Sequence, residues 1–159
     1  MATPPVAFYN LIKNMRDNDG VIASRYLPGA IVNPKQPLKR IIVSRIFNFL
    51  IKILLSLSYK DTQCGAKLFK REPINKVIPL LTMSKWAFDV DLIYSIKRLG
   101  FKIKEFPTIW SDKKDSKLSL ISAGPWMVLG IIRLRLLNSP FKSIMRIYDK
   151  ILKKIGSKF

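Results

Sequence analysis

The chain has 159 residues, of which 48% are hydrophobic, so its length and composition exclude a disordered tail and allow one folded domain. It carries 29 Lys and Arg against 10 Asp and Glu, a formal net charge of +19, which predicts an anionic partner: nucleic acid, a lipid surface or a phosphorylated small molecule. Histidine is absent and Cys64 is the single cysteine, which excludes histidine-dependent triads, histidine-ligated metal sites and internal disulfides within this chain.

The first third of the chain predicts a helix, a strand, a loop and a second helix. A Thr-Pro-Pro segment at 3–5 is a helix-start signal, and apolar residues follow at helical spacing. Residues 21–24, VIAS, are typical of a short buried strand, and residues 25–37 of a loop rich in Pro and Gly. A helix is predicted over 38–57. Because this helix contains Arg45 and Lys52, we interpret it as buried in protein or lying at a membrane interface rather than crossing a bilayer.

The segment DTQCGAKLFKR, at 61–71, is predicted to be a loop that follows this helix. It is too polar to continue the helix, and it contains Gly65, which disfavours helix. The elements predicted after it are a short helix over 71–81, a helix over 85–100, a strand over 102–110, a polar loop over 111–117, and helices over 119–137 and 141–155. Only two strands are predicted, and two strands do not make a stable sheet. The pattern therefore indicates the latter part of an α/β domain.

The last predicted helix is amphipathic. It places apolar residues on one face, namely Phe141, Ile144, Tyr148, Ile151, Leu152 and Ile155, and most of its Lys and Arg elsewhere. That pattern is typical of a basic helix on an anionic lipid surface. It also fits a helix that packs on its own domain with a solvated basic face.

Six segments occur in the order and spacing found in family 2 glycosyltransferases. They are VIASRYLPGA, LKRIIVSRIFNFL, DTQCGAKLFKR, WAFDVDLIYSIKRLGFKIKEFPTIW, DSKLSL and IIRLRLL. Over about residues 1–137 the chain resembles the branch of dolichyl-phosphate glucosyltransferases and dolichol-phosphate mannosyltransferases. The resemblance implies a helix-rich α/β fold, the C-terminal part of a GT-A glycosyltransferase. It implies a catalytic part over 1–118 and membrane-associating amphipathic helices over 119–159.

The activity implied by this resemblance is transfer of glucose, or mannose, from UDP-glucose or GDP-mannose to polyprenyl (dolichyl) phosphate. The reaction inverts the anomeric centre and takes place at the cytoplasmic face of a membrane. The family's nucleotide-binding half and its Asp-x-Asp motif have no counterpart in this sequence, so we expect a truncated or split enzyme, inactive without a separate N-terminal half. The alternatives are a catalytically inactive membrane-surface fragment and, less favoured, a basic nucleic-acid-binding module, for which no motif is found.

The complete enzyme is expected to use Mg²⁺ or Mn²⁺, with ligands that are not in this chain. Asp17-Asn18-Asp19 and Asp89-Val90-Asp91 have Asp-x-Asp spacing. We predict the first to be a turn and the second to lie in the middle of a helix, so neither is expected to hold the metal.

The acceptor-phosphate site implied by the resemblance consists of Arg25, Arg40 and Ser44. A phosphate monoester is already mostly ionised at neutral pH, since its second pKa is about 6. It therefore needs cations and orientation more than a general base. Arg25 could instead be an ordinary surface arginine, and Lys39 or Arg45 could take the place of Arg40.

Further site residues are carried over by the same resemblance. The catalytic candidates are Asp61, Gln63 and Asp89, and the donor-binding candidates are Gly65, Lys67, Ser116 and Lys117. Asp61 and Gln63 contact sugar hydroxyls or hold the loop. Asp89 orients a hydroxyl, acts as a base, or pairs with a Lys or Arg. Cys64 is expected to be packed rather than nucleophilic.

Overall fold

The computed structural model describes residues 4–83, 87–111 and 120–154. Its helices are α1 (Pro5–Met15), α2 (Leu38–Leu55), α3 (Arg71–Val77), α4 (Phe88–Arg98), α5 (Leu120–Leu137) and α6 (Met145–Lys154). Its strands are β1 (Gly20–Ser24), β2 (Ile31–Val32), β3 (Lys67–Phe69), β4 (Ile103–Pro107) and β5 (Ile109–Trp110). Short 3-10 turns at Ile78–Leu80 and Lys142–Ile144 follow α3 and precede α6. The expected α/β class is confirmed.

The central strand is β1, which lies between β3 and β4. It pairs antiparallel with β3, where Val21 is opposite Leu68, and parallel with β4, where Val21 is opposite Lys104. All five residues of β1 are buried, which explains its run of small and apolar residues. The Phe69 ring lies 2.3 Å from where a Cβ on Gly20 would stand, so any larger residue at position 20 would displace that ring.

A second, two-stranded parallel sheet joins β2 to β5, with Val32 opposite Trp110. The prediction of only two strands is therefore wrong: β2 lies inside the predicted loop 25–37, and β3 inside the loop 61–71. Strands of two and three residues are too short to show a period-2 pattern. The predicted strand 102–110 is interrupted at Thr108, whose backbone N–H donates to the Ser24 carbonyl at 3.1 Å.

The main core forms where α2, α4 and α5 pack around Ile22 of β1. Its fully buried members include Ile51, Val90, Ile93, Ile131 and Leu134. Since α5 contributes Met127, Ile131 and Leu134, this helix shares one hydrophobic core with α2 and α4. The boundary between a catalytic part, 1–118, and membrane-associating helices, 119–159, stays a prediction.

Several helix boundaries differ from the prediction: α3 ends at Val77 and α6 begins at Met145, and two further differences lie near the site. Helix α2 ends at Leu55 because Ser56 adopts a left-handed conformation, with φ of 54°. Helix α4 begins at Phe88, so Asp89 and Asp91 lie in its first turn. The expectation that the Asp89-Val90-Asp91 segment lies in the middle of a helix is wrong. Among the described residues, no helix is both long enough and apolar enough to cross a membrane.

Candidate functional site

An ion pair of Arg25 and Asp61 lies at the end of β1. Nε and Nη2 of Arg25 donate to the two carboxylate oxygens of Asp61 at 2.7 and 2.9 Å, and the Arg25 backbone N–H donates to the same carboxylate at 3.0 Å. The side chains are 10% and 2% exposed. Burial opposes the charge on Arg25, but the hydrogen bond and negative charge of Asp61 outweigh it and raise the pKa of Arg25 above its ordinary value. The guanidinium is therefore permanently charged and held in one orientation.

Asp61 is placed by the strand next to β1. The Glu105 carboxylate, on β4, accepts the backbone N–H groups of Lys60 and Asp61 at 2.8 and 2.7 Å. On the other side of the turn, the Ala23 N–H donates to the Ala66 carbonyl at 2.9 Å. The turn over 60–66 is thus hydrogen-bonded at both ends to the central sheet. This attachment places the Asp61 carboxylate next to Arg25.

Aromatic rings and arginines alternate around this ion pair, and we name the set the arginine–aromatic ladder. Its members, in spatial order, are Arg45, Tyr26, Arg25, Trp110 and Arg40. The Arg25 guanidinium carbon lies 5.4 Å from the centre of the Tyr26 ring and 5.2 Å from that of Trp110. Arg40 lies 5.8 Å from Trp110 and Arg45 lies 5.3 Å from Tyr26. These distances are within the range at which a cation is attracted to a ring face.

A pocket of about 400 Å³ opens beside Arg25. Its lining residues are Arg25, Tyr26, Val32, Lys35, Gln36, Leu38 and Ile41. Gln36 is only 6% exposed, and its Oε1 accepts a long hydrogen bond from the Tyr26 hydroxyl at 3.4 Å. Its Nε2 has no hydrogen-bond partner among the described residues. The pocket therefore combines cationic and amide groups with apolar walls, a combination that suits an anionic group on an apolar chain.

Helix α2 meets the turn at a second, smaller pocket. Ser44 and Gln63 both line it, together with Val43, Phe47, Gly124 and Met127. The structure thus brings together one residue predicted for acceptor binding and one predicted for catalysis.

The second ion pair of the site is formed by Lys67 and Asp89. The Lys67 ammonium donates to the Cys64 carbonyl at 2.6 Å and to the Asp89 carboxylate at 2.8 Å. The Lys67 side chain is 6% exposed and that of Asp89 is 38% exposed. Cys64 is buried, and this burial, together with the charge of Asp61, raises the pKa of its thiol. A thiol in such surroundings is packed rather than nucleophilic.

The carboxylates with Asp-x-Asp spacing do not converge on a common point. Asp89 pairs with Lys67, whereas the buried Asp91 accepts backbone N–H groups from Thr82 and Met83 at 2.7 and 2.9 Å and the Ser95 hydroxyl at 3.1 Å. Asp19 accepts the backbone N–H of Lys102. Within the described ranges no three acidic or cysteine residues are grouped as a metal site requires, so these residues do not fit a divalent cation.

The remaining predicted residues are placed as follows. Gly65 is exposed, and a Cβ there would meet no atom within 4 Å, so packing within this chain does not require glycine. Ser116 and Lys117 lie outside the described residues. Sequence reasoning missed Tyr26, Gln36 and Glu105. Tyr26 could have been found as the aromatic neighbour of Arg25, but nothing in the sequence marks Gln36 or Glu105.

The sequence of the chain is similar to those of known glycosyltransferases. The chain is 32% identical over 126 residues to the dolichyl-phosphate beta-glucosyltransferase of Drosophila melanogaster, a match that covers 79% of the chain. It is 37% identical over 89 residues to the enzyme of the same name from Dictyostelium discoideum, covering 56% of the chain. The chain is homologous to part of the dolichyl-phosphate beta-glucosyltransferases. The family 2 resemblance expected from the motifs is thereby confirmed.

This homology extends to glycosyltransferase AglD of Haloferax volcanii, which is 30% identical over 123 residues, or 76% of the chain. The matched region spans 19% of that protein, 27% of the Dictyostelium enzyme and 38% of the Drosophila enzyme. No protein-family model matches the chain, and no solved structure matches it significantly.

Proposed function

We propose that this chain supplies the acceptor-binding part of a GT-A glycosyltransferase that transfers glucose from UDP-glucose to dolichyl or another polyprenyl phosphate. The names of the relatives support glucose as the sugar and a dolichyl phosphate as the acceptor. The observation that carries the proposal is the fixed, permanently charged Arg25 in a pocket with apolar walls.

The proposed chemistry follows from the charge of the acceptor. A phosphate oxygen attacks the anomeric carbon, a new carbon–oxygen bond forms, and the bond to the nucleoside diphosphate breaks with inversion. Because the phosphate is ionised beforehand, Arg25 and Arg40 act by holding and orienting it. Asp61 acts through Arg25, whose guanidinium it fixes, so it is a positioning residue. Gln63, which lines the smaller pocket together with Ser44, contacts a sugar hydroxyl.

The donor side of the proposed reaction rests on Gly65 and Lys67, with Ser116 and Lys117 predicted to join them. Lys67 neutralises negative charge of the donor diphosphate. When substrate binds, the partly exposed Asp89 carboxylate leaves Lys67 and accepts a hydrogen bond from a sugar hydroxyl instead. Mg²⁺ or Mn²⁺ would neutralise the donor diphosphate in the complete enzyme. Its ligands would come from residues outside the described ranges.

An anionic membrane surface is the proposed site of action, at its cytoplasmic face. Helix α2 exposes one apolar face, the α2 stripe, which consists of Leu38, Ile42, Ile46, Phe49 and Ile53. Spacings of three and four residues put these side chains on one side of the helix. Leu38 is 71% exposed and also lines the Arg25 pocket, so the stripe is continuous with the pocket mouth. A lipid-borne phosphate would then reach Arg25 directly from the bilayer interface.

The transfer is proposed to need more sequence than this chain contains. The chain covers less than two-fifths of the relatives it matches, and its described residues offer no fit for a donor-bound metal. We propose that a donor-binding half, in the same or a separate polypeptide, completes the enzyme.

Co-expression tests this function. Membranes containing the chain together with a donor-binding half are expected to transfer radiolabelled glucose from UDP-glucose to dolichyl phosphate, and Arg25→Ala is expected to lower the rate at least a hundredfold. Arg98→Ala is the matched control, because Arg98 lies on α4 and stacks on Tyr94 outside the site. Full activity of Arg25→Ala would remove Arg25 from the reaction.

The alternative functions give different outcomes in the same preparation. An inactive membrane-surface fragment would bind anionic vesicles but show no turnover with the second half present. A nucleic-acid-binding module would prefer duplex DNA to anionic vesicles at moderate salt, and the charge of +19 makes that comparison necessary.

A further inference from the structure

Helix α6 and the 3-10 turn before it expose a row of large apolar side chains, which we name the α6 face. Its members are Phe141, Ile144, Ile147 and Ile151, and each is between 45% and 62% exposed. Spacings of three and four residues put them on one side of the helical segment. Single exposed apolar residues are ordinary on a protein surface, but a row of four indicates a surface that a partner covers.

The same helix packs on α5 through a different side. Met145 is buried there, the Tyr148 hydroxyl donates to the Leu129 carbonyl at 2.6 Å, and Arg133 Nε donates to the Asp149 carboxylate at 3.1 Å. The sequence grouped Tyr148 with the exposed apolar residues, but its hydroxyl is bonded to α5. Packing on the domain and contact with a lipid surface therefore use different sides of α6, and the two are compatible.

The charge that accompanies the α6 face is positive. By sequence, α6 contains Arg146, Lys150, Lys153 and Lys154, and Asp149 is its one acidic residue. Asp149 forms an ion pair with α5, so its negative charge is already matched within the protein, whereas Lys150 is exposed. A second copy of the chain is a poor partner for this face, because two molecules of charge +19 repel each other.

An anionic lipid surface matches both properties of the helix. Its acyl chains accept apolar side chains, and its headgroups attract Lys and Arg. We infer that the α6 face docks on an anionic lipid surface, with Phe141, Ile144, Ile147 and Ile151 at the boundary between headgroups and acyl chains. The α6 face is then a second membrane contact besides the α2 stripe. This inference rests on the proposed membrane site of action and does not depend on the transfer reaction.

Sedimentation of the purified full chain with vesicles of phosphatidylcholine and phosphatidylserine tests the inference. The double variant Ile147→Ser, Ile151→Ser is expected to bind about tenfold more weakly than wild type, because it loses apolar area that enters the interface while its charge is unchanged. The matched control is the double variant Ile78→Ser, Leu80→Ser. It removes two exposed apolar side chains from the 3-10 turn after α3 and is expected to bind like wild type.

Circular dichroism of each variant distinguishes loss of docking from loss of fold. If the Ile147→Ser, Ile151→Ser variant does not keep the wild-type spectrum, the single variant Ile147→Ser decides: a threefold loss of affinity supports the inference and unchanged affinity overturns it. Wild-type affinity in the folded double variant also overturns it. Loss of binding in Ile46→Ser, Phe49→Ser would then assign the membrane contact to the α2 stripe and leave the proposed function standing.

Two further outcomes would also contradict the inference. Analytical ultracentrifugation without vesicles shows whether the α6 face joins two copies of the chain: a wild-type dimer that dissociates in the Ile147→Ser, Ile151→Ser variant overturns the inference. Failure of wild type to bind anionic vesicles overturns both the inference and the proposed membrane site of action. The transfer reaction is tested separately, by the effect of Arg25→Ala on glucose transfer.

Discussion

The two ion pairs of the site, Arg25–Asp61 and Lys67–Asp89, differ in how firmly they are held. In the first pair both side chains are at most 10% exposed, and three hydrogen bonds join the two residues. In the second pair the Lys67 side chain is 6% exposed, but that of Asp89 is 38% exposed and makes one bond to it. Buried, multiply bonded pairs keep one geometry, whereas a half-exposed carboxylate exchanges partners with water or ligand.

This difference suggests that the two ion pairs have different roles in binding. The Arg25–Asp61 pair has its geometry before substrate binds. A charged acceptor can then bind with little reorganisation of the protein. In the Lys67–Asp89 pair the partly exposed Asp89 carboxylate can be replaced as a partner. Such an arrangement suits residues that bind a sugar or a diphosphate only when substrate is present. Both pairs originate in the same segment, since Asp61 and Lys67 are six positions apart.

The largest effect on stability is expected for Asp61→Ala. It leaves the Arg25 guanidinium buried without its partner, so the free energy of unfolding should fall by about 3–5 kcal/mol. Urea unfolding followed by circular dichroism measures this. Asp61→Asn keeps the size of the side chain but removes its charge, and it is expected to lose less than Asp61→Ala because the amide oxygen still accepts a hydrogen bond from Arg25. A wild-type free energy of unfolding in Asp61→Asn would show that the charge of Asp61 is unimportant.

The smallest effect is expected for Asp89→Ala. Lys67 keeps its bond to the Cys64 carbonyl and gains water, so the free energy of unfolding should change by less than about 1 kcal/mol. The matched control is Asp91→Ala, two positions along the same helix, which removes a buried acceptor of two backbone N–H groups. It is expected to cost about 2–3 kcal/mol. A larger loss for Asp89→Ala than for Asp91→Ala would contradict the contrast between the two pairs.

The sequence predicted the features that depend on local pattern. The helices, the buried strand that ends before Arg25, and the family resemblance all follow from periodicity or from motif residues. The sequence predicts the pairing of Asp89 with a Lys or Arg as one of three alternatives, but it does not indicate Lys67, which lies 22 residues away.

What the sequence did not predict depends on contacts between distant segments. Glu105 looks like any polar residue of an alternating strand, and only the pairing of β1 with β4 brings it to the backbone of Asp61. Strands β2 and β3 are too short for any pattern, and pairing with other strands creates them. The roles of Arg25, Arg40, Ser44, Gln63 and Lys67 towards substrate stay predictions.

Photo-crosslinking shows directly whether the Arg25 pocket binds a lipid-borne phosphate. An isoprenyl phosphate with a benzophenone on its chain is incorporated into anionic vesicles with the wild-type chain, and the labelled peptide is mapped by mass spectrometry. Binding in this pocket predicts labelling at its apolar walls, Val32, Leu38 and Ile41, and loss of that labelling in Arg25→Ala. Labelling confined to the exposed apolar face of α1, around Phe8 and Ile12, and unaffected by Arg25→Ala, would contradict it.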